Sequence, residues 1–170
     1  KFSLYLVRPI RSGLGEVNVI ASMIFGGITG SSVADTSAIG SILIPEMEKA
    51  GYDTGFSAGV TVASSTMGMI IPPSIPMLLY AMVSGASVGS LFLAGLVPGI
   101  LIGLSQMALV WVISRKRGYH PPRTPFDAAD FKNTFKDGVL ALIMPVIIVL
   151  SVSLGIATAS ESAGVAVLYA

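Results

Sequence analysis

The sequence predicts an all-α, polytopic membrane protein with a re-entrant helical hairpin and a discontinuous transmembrane helix. Three observations predict this. First, 53% of the 170 residues are hydrophobic and 11% are charged, with a mean hydropathy of +0.82. Soluble domains carry about a quarter charged residues, and a soluble fold this poor in charge could not cover its surface. Lipid as the solvent removes that demand, provided that the backbone satisfies its own hydrogen bonds, as helices do. Second, apolar stretches of membrane length are interrupted by Gly, Ser and Pro at two places. Third, every Lys and Arg falls in three short segments.

Other classes are excluded by the same composition. Net charge is +1 and no basic stripe is interleaved with aromatics, so nucleic acid is not a partner. Cysteine is absent, which removes disulfides and thiolate metal sites. His120 sits in a polar loop without ligand spacing around it, so no metal centre is predicted there. The chain opens on Lys1 without a signal-peptide pattern and stops in the apolar run Val165 to Ala170. It reads as a piece of a longer protein.

Residues 1 to 16 are mixed. Val17 to Ile44 is apolar but interrupted by small and polar residues from Gly26 to Thr36. A spanning helix needs about 20 apolar residues, and each arm falls short of that. Two half-helices meeting at a tip are therefore predicted, a hairpin over 17–50, with its tip against a cavity because irregular backbone at membrane depth needs protein or water beside it. Pro45 and the run Glu46, Glu48, Lys49, Asp53 mark a return to water. The next apolar stretch, 55–83, contains Pro72, Pro73 and Pro76. Proline removes an N–H and clashes with the preceding turn, so a break is predicted near Ile70 to Pro76.

Residues 88–114 are long enough to cross, with Pro98 as a candidate kink and Trp111 as an interface anchor. Residues 115–137 form a polar loop in which 126–136 is predicted to be a short amphipathic helix, with Phe131 and Phe135 four apart. Residues 138–158 cross again, and a polar break at Ala159 to Glu161 precedes the last segment. Gly95, Gly99 and Gly103, like Gly26 and Gly30, have the small-xxx-small spacing of close helix packing.

Charge tests the topology. If the hairpin enters and leaves on one side, the N-terminal segment, the 45–54 turn and the 115–137 loop share that side, and they hold every Lys and Arg. This is the positive-inside pattern, so that side is cytoplasmic. A full span over 17–44 would spoil it.

Two groups could carry chemistry. Asp35 is the ionisable residue set inside an apolar arm, where a carboxylate costs a few kcal/mol or more unless paired or solvated. Thr36, Ser31 and Ser32 add hydroxyls beside it. Broken helices in transporters offer free amides to anions and free carbonyls to cations, so an ion or substrate site is one reading. The other is a helix cap, in which Ser32 or Asp35 satisfies the first amides of the second arm. The second group is Thr61, Ser64, Ser65, Thr66 and Gly68 before Pro72, Pro73 and Ser74. The prolines should leave carbonyls near Gly68 and Met69 without donors, and such oxygens with hydroxyls suit a hard cation such as Na⁺. Alternatively the hydroxyls bond back to their own helix.

Two stretches carry a family resemblance: Gly-Gly-Ile-Thr-Gly-Ser-Ser-Val-Ala-Asp-Thr at 26–36 with Ile-Pro-Glu-Met at 44–47, and Ala-Ser-Ser-Thr-Met-Gly-Met-Ile-Ile-Pro-Pro-Ser-Ile-Pro-Met at 63–77 with Leu-Phe-Leu-Ala-Gly at 91–95. The chain resembles, over essentially its whole length, the large membrane subunit of tripartite ATP-independent periplasmic (TRAP) transporters. It departs at Ala159-Ser160-Glu161-Ser162, where the family pattern is Pro-Thr-Glu-Ala.

The resemblance implies half of an inverted-repeat elevator transporter in the bacterial inner membrane. It implies import of an organic acid, such as a C4-dicarboxylate or sialic acid, driven by a Na⁺ gradient. Its partners would be a periplasmic solute-binding protein and a small membrane subunit. It needs no cofactor beyond Na⁺ as coupling ion. Carried onto this chain, the Na⁺ site is Ser31, Ser32 and Asp35 from the hairpin with Gly68, Pro72 and Ser74 from the break, and Ser64, Ser65 and Thr66 are substrate-side hydroxyls.

Three alternatives stand beside this. One is a symporter coupled to another ion. One is an intramembrane enzyme using Asp35 with a serine nucleophile, for which no general base is at hand. The last is a purely structural subunit, for which two helix breaks would be a loss without a gain.

Overall fold

The computed structural model describes residues 13–119 and 143–169, all helical or in turns, with no strand among them. The helices are α1 (Gly13–Thr29), α2 (Ser32–Lys49), α3 (Thr54–Ser65), α4 (Ile75–Ser84), α5 (Val88–Arg117), α6 (Ile143–Ser153) and α7 (Ala159–Tyr169). The expected amphipathic helix at 126–136, most of the 115–137 loop and the start of the 138–158 segment lie outside the described residues.

α1 and α2 form a hairpin closed by two residues, Gly30 and Ser31. The interruption is much narrower than the predicted Gly26 to Thr36. The polar residues on either side do not break the helices, because their hydroxyls bond back one turn: Thr29 to the Phe25 carbonyl at 3.3 Å and Thr36 to the Ser32 carbonyl at 2.8 Å. The arms are antiparallel, since Asn18 Nδ2 near the start of α1 lies 3.5 Å from Met47 Sδ near the end of α2. α2 runs through Pro45 to Lys49 rather than stopping at the proline. Its cap is also not the one expected. Ser31, in an extended conformation, accepts from the Ala34 amide at 3.5 Å, whereas Asp35 lies inside the first turns. The readings of Ser32 or Asp35 as the cap are therefore corrected.

Asp53 caps α3 by accepting from the Phe56 amide at 2.9 Å. α3 tightens into a 3₁₀ turn at Thr66–Met69, and the chain is non-helical from Ile70 to Ser74. Pro76 then sits in the first turn of α4, where no amide is required of it. α5 continues unbroken through Pro98 for 30 residues. Among the described residues it is the one helix long and apolar enough by length and composition to cross a membrane.

Packing follows glycines. α1 and α3 run parallel, side by side: Asn18 meets Thr61, Ser22 meets Ser64, and Gly26 meets Gly68. α5 crosses them in the opposite direction. A Cβ on Gly103 would lie 2.5 Å from Met23 Sδ, one on Gly99 2.6 Å from Ile71 Cγ1, and one on Gly95 2.6 Å from the Ile70 carbonyl. The Gly95-Gly99-Gly103 stripe is thus what seats α5 on the helix break. Val19, Val60, Met67 and Val110 fill the apolar core beside it. At the far end Tyr52, Phe56 and Tyr119 stack, with centroids 4.6 to 6.1 Å apart, and Arg117 lies over Phe56 and 3.9 Å from Asp53. The polar break at 159–161 is a helix start. Glu161 accepts from the Thr158 amide at 2.8 Å, and the Thr158 hydroxyl receives the Glu161 amide at 3.3 Å, a reciprocal capping box.

Candidate ion and substrate site

The hairpin tip meets the helix break directly. The Ile75 amide, first of α4, donates to the Gly30 carbonyl at 3.2 Å. Gly30 has φ +63°, and a Cβ there would lie 2.8 Å from the Pro73 carbonyl and 3.0 Å from the Ile75 amide. Only glycine meets both the left-handed backbone and the lack of room. Below it a Cβ on Gly26 would fall 2.7 Å from Gly68 Cα, and one on Gly68 would lie 3.4 Å from the Ser31 carbonyl carbon. Ser31, Gly68, Pro72 and Ser74 therefore surround one junction of hairpin and break. Ser32 opens α2 beside it, half-buried, with its carbonyl taken by Thr36.

The proline break does not leave the Met69 carbonyl bare, as the sequence reading expected. The Ser74 hydroxyl, fully buried, donates to it at 2.6 Å. That bond replaces the amide donor which the prolines removed. Ser74 still offers oxygen lone pairs, but its proton is committed.

Asp35 lies a turn deeper. It is fully buried, and neither carboxylate oxygen accepts a hydrogen bond from the described residues. Ser65 donates to the Thr61 carbonyl at 2.8 Å. No Lys or Arg is present in residues 12 to 48 or 50 to 114, so no cationic side chain from those helices balances the charge. A buried carboxylate in that condition needs a proton or a cation.

Of the three hydroxyls expected on the substrate side, Ser64 and Ser65 are fully buried and Thr66 is exposed. Ser64 points into α1, 3.0 Å from Ser22 Oγ and 3.4 Å from Asn18 Oδ1. Thr66 donates to the Ala63 carbonyl at 2.7 Å, and Gln106 from α5 donates to the same carbonyl at 3.0 Å.

The sequence reading missed Asn18 and Ser22, both fully buried, and the reach of Gln106. A signal was available. Asn18, Ser22 and Gly26 recur at four-residue spacing, as do Ser57 and Thr61 ahead of Ser64, Ser65 and Gly68, so each set forms one small and polar helix face. Glu16, in the mixed segment at 1–16, is also buried.

The family model described as "Tripartite ATP-independent periplasmic transporter, DctM component" matches residues 1–170. The sialic acid TRAP transporter large permease protein of Vibrio cholerae is 40% identical over 169 residues, 99% of this chain and 39% of that protein. The C4-dicarboxylate TRAP transporter large permease protein of Pseudomonas aeruginosa is 37% identical over 168 residues, 99% and 39% of the two chains. The 2,3-diketo-L-gulonate TRAP transporter large permease protein of Escherichia coli is 37% identical over 165 residues, 97% and 39%. The chain thus spans about two-fifths of the length of these curated relatives. They are permeases rather than enzymes, which sets the intramembrane-enzyme reading aside. With a family model matched from end to end, the chain belongs to the DctM component of the tripartite ATP-independent periplasmic transporters.

Proposed function

We propose that this chain is half of the inverted-repeat permease of a Na⁺-coupled importer of an organic acid. It lies in the bacterial inner membrane as several spans with α1 and α2 as a re-entrant hairpin. The observation that carries the reading is the junction of Gly30–Ser31 with the 70–74 break, above a buried Asp35 whose oxygens accept no hydrogen bond from the described residues. Broken helices meeting at mid-membrane are how secondary transporters build ion and substrate sites.

In this reading Ser31, Ser32, Asp35, Gly68, Pro72 and Ser74 supply the oxygens around Na⁺, a hard cation that oxygen donors suit. Thr66, exposed beside the junction, contacts the substrate. Ser64 and Ser65, turned inward, frame the ion side. The three relatives are named for sialic acid, a C4-dicarboxylate and diketogulonate. All are carboxylic acids, and a carboxylate close to a bound cation is the shared chemistry. A periplasmic binding protein delivers the acid, a small membrane subunit braces the permease, and motion of the elevator type carries the site across.

The test is uptake by the full-length protein in proteoliposomes, with and without an inward Na⁺ gradient. Uptake should require the Na⁺ gradient and external binding protein. Uptake that ignores Na⁺ and follows a proton gradient instead would sink the coupling.

A further inference from the structure

One buried amide ties both arms of the hairpin to the broken helix. Asn18, fully buried on α1, donates through Nδ2 to Thr61 Oγ1 of α3 at 2.7 Å and faces Met47 Sδ of α2 at 3.5 Å. Its Oδ1 lies 3.4 Å from the Ser64 hydroxyl of α3. Chemistry sets this orientation. The Thr61 proton is spent on the Ser57 carbonyl at 2.8 Å, and a thioether can only accept. Both groups call for the nitrogen of the amide, so its oxygen turns to Ser64. Met47, Thr61 and Ser64 are fully buried as well.

The amide holds the register in which tip and break come together. Along the parallel pair α1 and α3, Asn18 meets Thr61, Ser22 Oγ lies 3.0 Å from Ser64 Oγ, and a Cβ on Gly26 would lie 2.7 Å from Gly68 Cα. Gly68 in turn faces Ser31 at the tip. The glycines permit this approach but do little to hold it. Between helices in a membrane the hydrophobic effect offers no attraction, and close packing and hydrogen bonds supply it instead. Two glycine backbones in contact can slide a little along the helix axis. A buried amide cannot follow such a slide without losing its acceptor, and an unpaired buried donor is costly. A single buried asparagine fixes register in coiled coils by the same logic.

We infer that Asn18 is a positioning residue for the junction. It holds α1 and α2 against α3 at the height where Gly30 and Ser31 meet the 70–74 break, and it touches neither ion nor substrate. The inference rests on the proposed Na⁺ coupling. It adds to that site a residue about 12 Å along α1 from Gly26.

The experiment separates placement from stability. In Thr61→Val the Asn18 nitrogen loses its acceptor. In Asn18→Leu the amide itself is gone. In the double variant neither partner is left alone, and Ser64 keeps the Thr61 carbonyl at 3.1 Å and Ser22 Oγ at 3.0 Å as acceptors. Replacing both partners of a buried hydrogen bond by apolar groups of like shape is nearly neutral for stability. Thermal unfolding of the full-length permease in detergent should therefore place the double variant close to the wild type and above Thr61→Val. Uptake in proteoliposomes with the binding protein should behave differently. The Na⁺ concentration for half-maximal uptake should rise by roughly three- to tenfold in all three variants, the double included. The maximal rate should stay within about twofold, because saturating Na⁺ draws the population back to the bound arrangement. Thr61→Ser keeps the acceptor, and its Na⁺ activation should stay within about twofold of the wild type.

A double variant with both wild-type stability and wild-type Na⁺ activation overturns the inference, since the amide would then serve packing alone. A double variant that does not fold overturns it too, because the pair would be needed for the fold rather than for placement. So does a fall in maximal rate without a shift in Na⁺ activation. Wild-type uptake that needs no Na⁺ overturns the coupling on which the inference rests, and that outcome is read on the wild type alone.

Discussion

Ile75 gives its backbone amide to the carbonyl of Gly30 at 3.2 Å, so the hairpin tip and the restart of the broken helix share a hydrogen bond. Neither group has a helical partner: one is the first amide of α4, the other lies past the last turn of α1. Helix ends leave such groups unsatisfied, and here two ends satisfy each other. The contact also fixes how far the tip can stand from the break.

Gly30 should accordingly be intolerant in a way that separates two causes. A left-handed backbone costs roughly 1–2 kcal/mol for an L-residue, and Asn relieves part of that. A Cβ of any kind meets the Pro73 carbonyl at 2.8 Å. Gly30→Ala and Gly30→Asn should both abolish uptake, because the clash does not depend on φ. Recovery with Asn but not Ala, in the same uptake assay, would mean that the conformation and not the space is what matters.

Gly26 and Gly68 pack backbone on backbone. Gly26→Ala and Gly68→Ala should each destabilise by about 1–3 kcal/mol, the usual range for overpacking. Both push the same two backbones apart, so the double variant should be less destabilised than the sum. Thermal unfolding in detergent measures all three. Strict additivity would show that the two glycines do not share one contact.

Asp35→Asn keeps the shape of the side chain and removes its charge. If Asp35 faces the coupling ion, half-maximal uptake should need at least about tenfold more Na⁺, each factor of ten being about 1.4 kcal/mol of binding. The cap of α2 belongs to Ser31, so the helix should be unaffected and the purified yield unchanged. An unaltered Na⁺ dependence would leave Asp35 a buried residue of α2 with no part in coupling.

The helical class was legible because composition and hydropathy act along the whole chain. The interruptions were legible less sharply. Glycine and hydroxyl residues at 26–36 look like a wide break, yet the hydroxyls of Thr29 and Thr36 serve their own helices and confine it to Gly30 and Ser31. The Met69 carbonyl looked bare because Ser74, five residues on, cannot be seen from sequence to turn back and fill the missing donor. Asn18 and Ser22 went unseen for another reason. They lie 43 and 42 residues from Thr61 and Ser64, and a pairing at that distance follows from the parallel run of α1 and α3. A four-residue polar repeat marks a helix face but does not name its partner.

Tyr52 gives a test at the other end of the molecule. It sits between α2 and α3, 4% exposed, stacked on Phe56 and Tyr119. Burial pushes its hydroxyl from 10.0 up to about 12, against the opposing amides of Gly15 and Leu14. The neutral phenol is the form that folding favours, so the sign is fixed. Its contribution is fully present below pH 10 and is lost as pH rises through about 12. One tenfold change in acidity is worth about 1.4 kcal/mol, and with solvent screening the loss is about 1–2 kcal/mol. Lysines titrate in the same range, so the comparison has to be with Tyr52→Phe. The wild type should lose more thermal stability between pH 9.5 and about 12 than Tyr52→Phe does. Parallel loss in the two proteins would show that the alkaline transition comes from other groups and that Tyr52 ionises without opening the aromatic cluster.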